Sequence, residues 1–239
     1  MSECNKQKCN DIYHKNDGIY INLQKYFYKN IPFIFTFILG FIVIIKYTSK
    51  YNNNIIIDFI TLIALPFWAY FIHIFSHHYN KFIFNWHLFH HNPEISKQPF
   101  YMLLEFYGNF MIGGGIIIIL YNLLMNQLFN LNFHFNYYII LYWSIIYSTY
   151  HVINYHVLYF DSHYHHHIYN AISNYGPDWV DIIFETKTEN EKIENSNSSA
   201  INNIIAMLIV LLLKNKFDDI IKFINYYIVL FVPKIINNK

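Results

Sequence analysis

Twelve of the fourteen histidines fall in four knots: His73, His77 and His78; His87, His90 and His91; His151 and His156; and His163, His165, His166 and His167. On a helix, side chains three and four positions apart share a face. His73 and His77 therefore point the same way, as do His87, His90 and His91, and again His163, His166 and His167. Imidazole is the commonest side-chain metal ligand near neutral pH. These three same-face groups supply more nitrogens than one tetrahedral zinc accepts. Two metal ions are the natural reading.

His151 and His156 are five positions apart, roughly 140° around a regular helix at ~100° per residue. Both serve one site only if a π-bulge or break intervenes. His78 replaces His77 if the first group reads H-x4-H, and His165 is held in reserve. His14 and His134 fall outside the knots. Chance enrichment by AT-rich coding, visible in the Asn, Ile, Tyr and Lys usage, explains one knot. It does not explain H-x-x-H-H twice beside an H-x-x-x-H.

The elements that must carry these residues are apolar. The 239 residues are 55% hydrophobic, 21% aromatic and only 13% charged, about half the ~25% charge of soluble domains. The expected class is an all-α integral membrane protein with about four transmembrane helices. A cytosol-facing, histidine-rich helical cap and extra C-terminal apolar helices complete it. Net charge is +1, so no nucleic-acid partner is implied. Cys4 and Cys9 fit two free thiols in a reducing compartment. The start of the chain lacks the pattern of a secretory signal peptide.

Residues 1–30 form a polar tail, and 31–186 the membrane domain. Its apolar runs are 31–47, 55–75, 101–125 and 137–150, with Gly113, Gly114 and Gly115 allowing close helix approach in the third. Residues 187–203 read as a solvated linker, and 204–239 as two short apolar pieces, interfacial or re-entrant. Four crossings return every knot to one side of the bilayer, which a shared site requires, and leave His134 on the other. Lysines gather in the N-terminal tail and around the knots, which makes that side cytosolic.

Three stretches resemble the boxes of the fatty acid hydroxylase / sterol desaturase superfamily: His73-x-x-x-His77, His87-x-x-His90-His91 and His163-x-x-His166-His167. Asn174-Tyr175-Gly176 and Trp179-x-Asp181-Ile-Ile-Phe184-x-Thr186 are similar to that family's closing N-Y-G and W-D-x-x-F-G-T signature. The resemblance covers about residues 60–186. It departs at Ile74, where the family has Arg, and at Glu185, where it has Gly; the C-terminal apolar pair has no family counterpart.

The resemblance implies an endoplasmic-reticulum-type enzyme that uses O2 and two electrons to hydroxylate or desaturate a lipid. It also implies further ligands near His151 and His156, and it picks out Asp181. The expected ligand set is therefore His73, His77, His87, His90, His91, His151, His156, His163, His166 and His167.

Breaking an unactivated C–H bond needs a redox metal, and zinc is not one. Two Fe ions are thus expected, with zinc a possible occupant of recombinant material. Carboxylates that could steady the ligand rings are Glu94, Glu105, Asp161 and Asp181. No haem-binding H-P-G-G stretch is present, so electrons are expected from a separate cytochrome b5 or reductase. Substrates in view are a sterol, a fatty acid or a ceramide-type lipid. The competing class is a non-enzymatic membrane metal-binding or transport protein. Transport would string ionisable groups along the bilayer midplane, whereas these histidines gather at helix ends.

Overall fold

The computed structural model describes residues 11–48, 54–78, 91–96, 98–129, 134–158, 166 and 172–237. The described residues are helical apart from turns and one isolated antiparallel bridge, Ile12 to Lys192. The helices are α1 Gly18–Lys29, α2 Ile31–Thr48, α3 Ile55–His78, α4 Pro93–Ser96, α5 Pro99–Gly108, α6 Ile116–Phe129, α7 Tyr137–Val152, α8 Asp178–Ile183 and α9 Ala200–Asn237. π-helical turns occupy Asn109–Gly113 and Ile153–Val157.

Among the described residues, three segments are long and apolar enough to cross a membrane: α2, α3 and the Pro99–Phe129 run of α5 and α6. α7 is the hub. Eleven of its sixteen residues are buried, including Ile139, Ile140 and Tyr142 with no exposure. A helix apolar on every side belongs inside a bundle, and α2, α3, α5, α6 and α9 all pack on it.

The third span is broken at its glycines. Gly115 takes φ +90°, a conformation that favours glycine. A Cβ on Gly114 would fall 2.6 Å from the Ser144 Cα. The Ser144 hydroxyl donates to the Gly114 carbonyl at 2.7 Å. The triple glycine thus both kinks the span and seats it on α7.

Three expectations about the flanks fail. The polar tail 1–30 is more than a tail: its described part, from Asp11, includes α1, which packs on α8. The 187–203 stretch is a half-buried strap rather than a solvated linker. Its polar groups are spent on α1 and the start of α2. The Asn30 amide donates to the Glu194 carbonyl at 2.9 Å, Ser196 N–H to Asn30 Oδ1 at 2.6 Å, and Lys29 Nζ to the Ile193 carbonyl at 2.6 Å.

The third correction concerns 204–239, which holds neither two interfacial pieces nor a re-entrant pair. One continuous helix, α9, runs beside α2 in the same direction. Asn203 Nδ2 donates to the Phe33 carbonyl, and Lys214 Nζ to the Tyr47 carbonyl. Further on, Asn225 meets Gln127 near the end of α6. Its later lysines therefore lie at the end of the bundle away from His73, which weakens the lysine asymmetry expected from spacing.

Candidate metal centre

α3 presents His73 and His77 in its last turns, their rings stacked with centroids 5.1 Å apart. His91, just before α4, and His166 close over them. Each of the four offers a nitrogen, and these nitrogens all lie within 4.8 Å of one another. His166 Nε2 stands 3.1 Å from His73 Nε2 and 3.2 Å from His77 Nε2. Two of the four rings are fully buried, His73 at 5% exposure and His166 at 1%.

Orientation decides what this cluster can do. His73 Nδ1 donates to the Tyr175 carbonyl, and His166 Nδ1 donates to the Ser173 carbonyl at 2.5 Å. A carbonyl only accepts, so each Nδ1 carries the hydrogen. In the neutral rings each Nε2 is then a bare lone pair, and two lone pairs 3.1 Å apart repel unless a cation lies between them. Anchoring one ring nitrogen on a carbonyl while the other is left to ligate is the usual support of a metal-binding histidine. With two rings so anchored and four nitrogens within 4.8 Å of one another, the set fits a transition-metal ion.

The carbonyl anchors are themselves held. Asp181 Oδ1 accepts from the Tyr175 N–H at 2.9 Å and from the Thr186 hydroxyl at 2.7 Å; Oδ2 accepts from the Gly176 N–H at 3.0 Å. Asp181 is 1% exposed. Burial pushes its carboxyl up to about 7, opposed by the Thr186 and Gly176 donors. It acts on His73 through the Tyr175 peptide, not by touching a ring.

The turn that closes this loop uses left-handed backbone at Asn174, φ 55°, and at Glu185, φ 54°. Asn tolerates that region, and glycine favours it. Position 185 is where the resembled signature carries glycine.

A second group lies on α5, α7 and the π turn. Glu105 Oε1 is 2.7 Å from His151 Nδ1, and Oε2 is 2.9 Å from His156 Nε2. All three side chains are buried. The Ile153–Val157 π turn swings His156 back toward His151, so residues five apart reach one carboxylate.

His78 is exposed, with Nδ1 on the Ile74 carbonyl at 2.9 Å, and is not in the four-histidine group. His134 meets Asn126 and Tyr137, and His14 meets Glu189. Glu94 is exposed. His87, His90, His163, His165, His167 and Asp161 lie outside the described residues. Tyr175 and Ser173 were not expected as ring anchors, because they act through backbone carbonyls that carry no residue-type signal. Glu194 was hidden in the stretch read as solvated.

Comparison of the chain with models of known families, with curated proteins and with solved structures finds no match.

Proposed function

We propose that the chain is a membrane-embedded, O2-dependent lipid hydroxylase or desaturase with a histidine-rich di-iron centre. One observation carries the reading: His73 and His166, anchored on carbonyls through Nδ1, bring their Nε2 lone pairs to 3.1 Å at the end of a spanning helix. His73, His77, His91 and His166 hold the first ion. His151 and His156, their rings steadied by Glu105, would contribute to the second, and the sequence spacing of His87, His90, His163 and His167 makes them the further ligands of the two sets. Iron bound there would supply the redox chemistry with O2 that activation of an alkyl C–H bond requires.

The protein's own contribution is placement. Tyr175 and Ser173 fix which nitrogen of each ring is turned toward the cluster, Asp181 fixes the Tyr175 peptide, and the apolar bundle brings a lipid to the site without water. α2, α3, the α5–α6 span and α7 make four crossings that keep His73, His77, His91, His151, His156 and His166 on one side. The Lys-bearing N-terminal segment on that side makes it cytosolic, in the endoplasmic reticulum. Electrons come from a separate cytochrome b5 or reductase.

Lipid profiling of cells that express the chain, with and without the His73→Ala variant, tests the reading. A hydroxylated or desaturated lipid that is present only with the intact chain supports it. An unchanged lipid profile with altered cellular metal content would mean transport instead.

A further inference from the structure

α2 and α3 follow one another in the chain yet scarcely touch. α2 rests on α9 and α7, while α3 rests on α7 and the first π turn. Between them, floored by Trp143 and Ile146 of α7, lies a cavity of about 410 Å³. That is within the ~300–1,000 Å³ range of small-ligand sites. Its outer wall includes Ile38, Phe59 and Ile63, which are 47%, 54% and 43% exposed. These residues sit within spanning helices, so the mouth faces hydrocarbon rather than water.

The inner end is polar. Asn154, Asp178, Glu194 and Ser196 line it, all buried, and His151 and Tyr175 join it to the histidine centre. An apolar mouth leading to a polar end matches an amphiphile that enters head first and leaves its chain toward the bilayer.

Charge selects the head. Two carboxyl groups, Asp178 and Glu194, face the cavity. The nearby cation Lys187 is held by Asp178 at 2.5 Å with its side chain fully buried, and it is not part of the lining. A carboxylate or phosphate head would have to desolvate against carboxyl groups, which is costly. A hydroxyl or amide can both donate to these oxygens and accept from the Asn154 amide, which donates to Glu194 Oε1 at 2.9 Å. Burial also pushes the Glu194 carboxyl up to about 7, which gives the wall a group able to accept or donate.

We infer that the α2–α3 cleft admits a lipid directly from the bilayer and selects one with an uncharged hydroxyl or amide head over a free fatty acid. This rests on the lipid-oxygenase reading above for its purpose, but not for its test.

The test uses the full chain in lipid nanodiscs and three photo-crosslinking probes. The probes share one alkyl chain bearing a diazirine and end in a hydroxyl, a primary amide or a carboxylate. At about pH 8, where the carboxylate is ionised, the hydroxyl and amide probes should label α2 and α3 around Phe37, Phe59 and Ile63. The carboxylate probe should label them less by on the order of tenfold. Ile63→Trp, at the lipid-facing mouth, should remove the labelling, while Ile60→Trp, 57% exposed and outside the lining, should not.

Equal labelling by the carboxylate probe, or labelling that ignores Ile63→Trp, overturns the inference. Labelling needs neither iron nor turnover. Lipid oxidation without cleft labelling therefore sinks this inference alone, and cleft labelling in a protein that oxidises nothing sinks only the oxygenase reading.

Discussion

The Nε2 atoms of His73 and His166, 93 residues apart in the chain, lie 3.1 Å from one another. Their Nδ1 atoms are both committed to backbone carbonyls. The pair therefore faces lone pair to lone pair, and His77 adds a third nitrogen at 3.2 Å from His166. A buried arrangement of this kind is unfavourable in an empty neutral protein and favourable around a cation. A cation held between the rings would offset the energetic cost of assembling the cluster.

Removing one of these rings should remove an ion. His166→Ala is expected to lower bound metal by about one ion per chain, and to lower thermal stability in metal-loaded protein. A ligand present at ~100 times its Kd stabilises by ~2.7 kcal/mol, so the loss should be of that order. His78→Ala, which removes an exposed ring bonded only to its own helix, should leave metal content unchanged. Elemental analysis of the two purified variants checks this. Equal metal in both would disprove the assignment.

Glu105 joins His151 and His156 at 2.7 Å and 2.9 Å, so Glu105→Ala should act on the second ion and spare the first. Losing such a partner typically costs 10–100-fold in metal affinity. Metal titration followed by elemental analysis should then show one tight and one weakened site. Two unweakened sites would remove Glu105 from the centre.

Two buried carboxyls make metal-free stability pH-dependent. Burial raises Asp181 and Glu194 each to about 7, whereas unfolded carboxyls ionise near ~4. Between those values the folded state holds more protons than the unfolded one, so stability falls as pH rises from about 4 to about 7 and then levels. Chelated protein in detergent should therefore melt higher at about pH 5 than at about pH 8. Glu194→Gln, permanently neutral, should flatten the difference. A higher melting temperature at the alkaline value would contradict the sign.

Glu185 holds φ 54° and pairs with Lys15 at 3.0 Å on the surface. Left-handed backbone costs an L-residue roughly 1–2 kcal/mol, and the exposed pair returns little. Glu185→Gly should accordingly be more stable than Glu185→Ala by about 1 kcal/mol, read as a difference in melting temperature. The reverse order would mean that the turn is not strained.

Where periodicity and residue chemistry coincide, the chain was legible. The H-x-x-x-H of α3 does put His73 and His77 on one face, and the five-residue spacing of His151 and His156 does require a π turn, which Ile153–Val157 provides. The flanks were opaque for two physical reasons. Polar composition at 187–203 reads as solvated, yet Asn30, Lys29 and Asp178 take up its backbone groups, so the strap is pinned half-buried by hydrogen bonds that no hydropathy pattern records. In α9 the cluster from Lys214 to Asp219 divides the apolar runs, but no glycine or proline interrupts the helix before Pro233. Continuity there follows from the absence of a breaker rather than from hydropathy.

Elemental analysis of protein purified from its own membranes, without added metal, bears most directly on the central claim. The account predicts two transition-metal ions per chain, with iron dominant and X-ray absorption showing nitrogen ligands at ~2.0–2.1 Å if zinc has replaced it. Folded protein that carries no such ion would contradict it.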